Sequence, residues 1–168
     1  MDAKTYVLKQ INSMHFIIED PLQGLTDDLL RWTPPGMANR IGVTLLHTIA
    51  GQDVFTGMLL GQPTLWVSES WDQRFGLEKS PGPGMDWNAL PTDRLTLENL
   101  CAYLQSVRNR LESYLQALTP EELDRKVDLF GKEQPAADVL ILMAGHSLMH
   151  AGEIAALKGI AGVRGLAF

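Results

Sequence analysis

His146 and His150 stand four residues apart in the run AGHSLMHAGEIAALKG. On a helix that spacing sets two side chains about 40° apart around the axis, one turn above the other. Two imidazoles so placed can point at one atom. The chain has four histidines, and this pair lies in its most apolar stretch. A third, His47, lies in another apolar stretch, ANRIGVTLLHTIAGQDVF. Three imidazoles from two helices make a candidate divalent-metal site with open positions, the arrangement a catalytic metal needs. The competing reading is structural: a buried imidazole is costly unless both nitrogens are satisfied, so each ring would hydrogen-bond to backbone or to facing polar groups.

Glu153 follows His150 by three and His146 by seven, so it shares their face. It is the candidate catalytic residue, as general base, and it also fits as a fourth ligand or as an outer acceptor for an imidazole N–H. Small residues surround the histidines: Ala50 and Gly51 near His47, and Gly145, Ala151 and Gly152 near the pair. They serve either close helix approach or room for a ligand. Ser147 stands where an HExxH protease carries its glutamate, which argues against that chemistry. The chain contains no GxGxxG, GxxxxGK[ST] or GxSxG motif. His15 is expected to be partly exposed or hydrogen-bonded rather than a ligand.

The elements that must hold these residues read as helices. Residues 3–24 carry Tyr6, Val7, Ile11, Met14 and Ile18 at helical spacing, with Pro21 and Gly24 ending the run. Thr26, Asp27 and Asp28 open a short turn. A second helix spans 39–61, with Asn39 as N-cap. Residues 62–94 hold three of the four tryptophans and an SPGPG run. That is too long for a simple connection, so it reads as an ordered crossover with a helical turn at 70–75, and as a candidate pocket wall. Trp66 and Trp71 are its candidates for the wall or for dimer contacts. A third helix spans 95–118. Thr119, Pro120 and Glu122 form a capping box opening a short helix. VDLFGKEQP reads as a turn or short extended piece. A fourth helix at 135–158 is apolar nearly all round, hence buried on several sides. The tail GIAGVRGLAF reads as irregular.

These elements predict an all-α fold, a four-helix bundle with a long connection between its second and third helices. At 168 residues the expectation is one domain, 1–168. A formal net charge of −6, with 14 scattered Lys and Arg, argues against nucleic acid. The single Cys101 rules out an intrachain disulfide and a Cys-rich zinc site, and its place in a helical run predicts burial. Neither a leader nor an uncharged apolar run of about 18 residues is seen, so no membrane partner and a cytoplasmic location are expected.

ANRIGVTLLHTIAGQDVFTGMLLGQP, HSLMHAGEIAALKGIAG and the earlier RWTPPG together resemble the DinB-like superfamily, in order and spacing, over nearly the whole chain. The resemblance implies a four-helix bundle, often a homodimer, with His47, His146 and His150 as ligands to a divalent metal, zinc or nickel being typical. Relatives with assigned activity look like thiol-dependent enzymes: transferases using bacillithiol, mycothiol or glutathione, and a maleylpyruvate isomerase. Relatives often carry a basic residue where this chain has Ala151. The expectation is therefore a thiol S-transferase acting on a small electrophile, using a divalent metal and a low-molecular-weight thiol. Two alternatives stand beside it: a hydrolase using a metal-activated water, and a non-enzymatic metal- or ligand-binding stress protein.

Overall fold

The computed structural model describes residues 1–166, so the last two residues of the tail lie outside the described part. Four long helices dominate. The chain runs through α1 (Ala3–Glu19), a 3-10 turn (Asp20–Leu22), α2 (Asp27–Arg31) and α3 (Ile41–Leu60). Two short helices follow, α4 (Leu65–Ser68) and α5 (Trp71–Phe75), then a 3-10 turn (Trp87–Ala89), α6 (Leu97–Gln116) and α7 (Pro120–Asp124). The strands β1 (Lys126–Leu129) and β2 (Lys132–Pro135) lead into α8 (Ala136–Ile160). The all-α expectation needs one correction. VDLFGKEQP folds as an antiparallel hairpin, with Val127 opposite Gln134.

The helix ends follow local chemistry. Thr26, Thr96 and Thr119 each accept an amide hydrogen bond three residues on, opening α2, α6 and α7. Gly61 closes α3 in the left-handed conformation, φ 62°. Asn39 is not a cap: α3 begins after Arg40, which makes no side-chain cap bond. The Asn39 side chain instead lies close enough to Glu153 to help hold that carboxyl below its usual range.

Helices α3 and α8 pack on each other, with α1 against α8 and α6 against α3. One apolar cluster joins α3, α6 and the crossover through Leu45, Ile49, Trp66, Trp71, Phe75 and Tyr103. The other joins α1, α6 and α8 through Ile11, Met14, Leu111, Val139 and Met143. Trp66 and Trp71 are thus core residues, stacked around Phe75 and Tyr103, and not a pocket wall. Cys101 is exposed, against expectation. Leu100 takes the inward position, and one step along a helix turns the side chain by about 100°.

Asp53, fully buried on α3, holds the crossover down. Its carboxylate accepts from the amides of Leu65 and Trp66 at 2.9 Å, from Tyr103 Oη at 2.8 Å and from Arg110 at 3.3 Å. A buried carboxylate with four donors is satisfied, and two of those donors belong to the start of the crossover. At the other end of α8, Lys158 is buried and donates to the carbonyls of Pro21 (2.9 Å) and Gln23 (2.6 Å), tying that helix to the turn after α1.

By length and composition alone α8 is long and apolar enough to cross a membrane, a test that a buried core helix also passes. Glu153 interrupts its apolar run, and much of the helix is buried against α1 and α3. Its remaining face is an exposed stripe: Ile141, Gly145, Met149, Gly152, Ala156 and Ile160. A Cβ added at Gly145 or Gly152 would meet nothing within 4 Å.

His15 also departs from expectation. It is buried, and neither ring nitrogen has a hydrogen-bond partner among the described residues. Burial, with nearby Arg108, depresses its pKa from 6.5 to about 4. A histidine held neutral in this way stabilises the fold fully above pH 6.5, and that stability is lost as pH falls toward 4, because the unfolded chain binds the proton first. The loss should be on the order of 2–3 kcal/mol for this residue. Urea unfolding between pH 7 and 4.5 should show it, and His15→Leu should make the fall with pH distinctly shallower. An unchanged pH slope in that variant would place the acid sensitivity elsewhere.

Candidate metal centre

The two helices that carry the histidines are the two most apolar ones, and each is buried by the other. His47 lies two turns into α3, and His146 and His150 lie midway along α8. The fold brings all three together. One ligand atom from each falls within 4.8 Å of the others, and the ring centroids are 4.6–4.9 Å apart. His47 Nε2 and His146 Nε2 approach to 2.9 Å.

The second nitrogens fix which atoms face inward. His47 Nδ1 lies 2.8 Å from the carbonyl of Pro81, and a carbonyl only accepts. The Nδ1 of His47 therefore carries the proton and Nε2 keeps its lone pair. His150 Nδ1 lies 2.8 Å from Glu153 Oε2, which imposes the same tautomer. Outer acceptors of this kind orient imidazoles toward a metal and raise their basicity. His146 differs: its Nδ1 is buried with no partner. Two Nε2 atoms at 2.9 Å must share either a proton or a cation, and the donor set of three neutral imidazoles suits zinc or nickel.

Burial favours the neutral form of two of the rings. Burial, reinforced by His150 and His47, depresses the pKa of His146 to about 4. Burial also lowers His47, partly offset by the Pro81 hydrogen bond. The Glu153 carboxyl is held below its usual range by its hydrogen bond to His150, with Asn39 adding to the effect. Glu153 is thus committed to His150 and Asn39. Ser147 points away, accepting from Gln52 at 3.2 Å in a fully buried bridge between α3 and α8.

The crossover does form a wall of the site, through residues the sequence reading passed over. Trp87 packs on His47 with centroids 4.3 Å apart, and its Nε1 donates to the carbonyl of Gly82. Pro81 supplies the acceptor for His47. The signal for these was the SPGPG run before a tryptophan, which set an ordered loop near some site without saying which. On the opposite side Phe55 meets His146 edge-on at 5.8 Å.

The sequence profile of the DinB superfamily matches residues 18–154. The chain belongs to the DinB superfamily. Two solved structures share the fold of this DinB-superfamily protein. One is a crystal structure of a conserved protein from Enterococcus faecalis, 20% identical, with a TM-score of 0.73, covering 95% of this chain and 97% of that one. The other is a DinB-like protein from Bacillus cereus, 21% identical, with a TM-score of 0.59 and 95% of each chain covered. No curated protein matches the sequence.

Gly51 decides whether the rings can meet. A Cβ there would lie 2.7 Å from His146 Cε1 and 3.1 Å from its Nδ1. Gly51→Ala should push the His146 ring out of the cluster. Histidine NMR titration should then find the His146 pKa risen from about 4 toward the ordinary value near 6.5. A pKa that stays put would mean that the two helices part instead and the ring keeps its place.

Proposed function

We propose that His47, His146 and His150 hold a divalent ion, zinc or nickel, and that the protein is a metal-dependent enzyme acting on a small molecule. One observation carries this reading: two of the three imidazoles have their Nδ1 protons engaged by fixed acceptors, which leaves their Nε2 lone pairs free, and one ligand atom from each of the three rings lies within 4.8 Å of the others. A divalent ion there would lower the pKa of a small thiol and so supply a thiolate near neutral pH. The reaction we favour is accordingly S-transfer from a low-molecular-weight thiol to an electrophile. Hydrolysis, with water in place of the thiol, is the second reading that the same donor set serves.

The chain's own residues have distinct tasks. Pro81 and Glu153 set the tautomers of His47 and His150. Asn39 steadies Glu153 from the other side. Of the three roles open to Glu153, the outer acceptor is the one its contact with His150 supports. Trp87 and Phe55 keep water from the flanks of the rings.

Metal-stripped protein titrated with zinc, nickel and manganese should melt higher. At 100 times the dissociation constant, one site adds about 2.7 kcal/mol, on the order of 5–10 °C for a domain of this size. The shift should vanish in His150→Ala. Glu153→Gln should keep the site but weaken it by roughly 10–100-fold. No shift with any of the three metals would overturn the reading. Product analysis with and without added thiol separates transfer from hydrolysis.

We also propose that the protein is a homodimer joined through the exposed α8 stripe. The stripe is uncharged from Ile141 to Ile160 and combines large residues, Ile141, Met149 and Ile160, with small ones, Gly145, Gly152 and Ala156, so large can meet small across a two-fold contact with its own copy. Its glycines have no packing reason within the chain, although exposed glycine costs a helix about 1 kcal/mol relative to alanine. Gly152→Lys places a charge in the seam while improving helix propensity. Sedimentation velocity should find the parent dimeric and this variant monomeric. A monomeric parent, or a dimeric variant, would count against this face.

A further inference from the structure

The histidine cluster lies at one end of a row of partly exposed residues along α3. The partly exposed positions of α3 in its middle and C-terminal half, His47, Gly51, Val54 and Met58, follow at spacings of four, three and four and so form one ridge. On α8 the facing ridge runs back from His146 to Leu142, which is 41% exposed. Past Gly51 the ridge itself carries only apolar side chains, Val54 and Met58, while the cleft beside them is also lined by Arg125, Lys126 and Asp128. Phe55, buried next to Val54 on α3, meets His146 edge-on at 5.8 Å. Phe130, at the tip of the β1–β2 hairpin, meets Phe55 edge-on at 6.2 Å.

Phe130 is the anomaly. Leu129 pairs with Lys132, leaving a two-residue loop, Phe130-Gly131, with φ of 54° and 83°. A loop with both residues at positive φ prefers Asn, Asp or Gly at its first position. A bulky aromatic there is a conformational outlier, and this one is also 68% exposed. The fold thus holds a large apolar ring in a disfavoured backbone state, where it is neither buried nor suited to its turn. Such outliers cluster at ligand-binding positions.

We infer that Phe130, with Phe55, Val54, Met58 and Leu142, forms an apolar arm of the binding site. Its ligand is the aromatic or aliphatic tail of a small molecule whose polar head sits at the histidine cluster. Head and tail would be separated by the one to two helical turns between His146 and the Phe130 ring, roughly 6–10 Å. The head-group part of this inference rests on the metal reading above; the arm itself does not.

Two hydroxamates serve as probes, because the shared head binds a metal and only the tail differs: acetohydroxamate and 4-phenylbutanohydroxamate. Calorimetry on zinc-loaded protein should find the phenyl probe at least about tenfold tighter, the worth of a modest buried apolar surface. Phe130→Asn should remove most of that advantage. It should leave acetohydroxamate binding unchanged and the melting temperature equal or higher, since asparagine suits the turn. Phe130→Gly should behave alike. An equal advantage in parent and variants, or none in the parent, would overturn the arm. So would a melting temperature several degrees lower in both variants with the advantage intact, which would make Phe130 a structural cap. If neither probe binds, the metal reading has failed, and the arm is then tested on metal-free protein with 4-phenylbutanoate by saturation-transfer NMR. Ring-proton contact that disappears in Phe130→Asn would support it, and no contact in the parent would sink it.

Discussion

Everything of chemical interest depends on how closely α3 and α8 approach. Each helix is apolar nearly all round, so burying one against the other is favourable without any help from polar groups. Polar groups are nevertheless placed in the seam. Gln52 and Ser147 bridge it where both are fully buried, and the three imidazoles line its outer edge. At Gly51 the missing side chain lets the His146 ring lie against the backbone. A seam this dry strengthens whatever electrostatic interaction is made inside it, and makes an unpaired polar atom expensive. The bare His146 Nδ1 is the one point in the cluster where that cost is visible.

The long crossover, Gln62 to Arg94, looks at first like a tether between α3 and α6. Its function in the structure is to deliver Pro81 and Trp87 to His47. It can do so because both its ends are fixed. Asp53 caps the beginning, and Arg94 donates to the carbonyl of Gln73 near the end. A stack of Trp66, Trp71, Phe75 and Tyr103 fills the space between. The aromatic content of the segment is therefore mostly scaffold, and one tryptophan of the three reaches the site.

This division explains how much the sequence disclosed. Helical periodicity placed the four long helices to within a few residues, because each has an apolar face of consistent phase. The histidine spacing gave the cluster, since two of the histidines share one helix and the third lies in another segment of similar apolarity. What escaped depends on distant partners. Nothing local marks Pro81 as an acceptor for a ring 34 residues earlier, or Asn39 as a partner of Glu153 rather than a helix cap. Cys101 follows Leu100 in an amphipathic helix, and the apolar phase assigned to it belongs to Leu100 alone. VDLFGKEQP was legible as a turn or extended piece but not as a paired hairpin, because a phenylalanine stands where the turn calls for asparagine.

The order of these elements along the chain has a consequence for synthesis. His47 and His146 are 99 residues apart, and the helix that covers the apolar sides of both α1 and α3 is the last long one made. At roughly 5–20 residues per second, α3 waits on the order of 5–20 s for the partner it needs. During that interval α3 has α2 and then α6 to pack on, while the side that faces α8 stays uncovered. That side is where a nascent chain of this topology would offer a chaperone the most apolar surface.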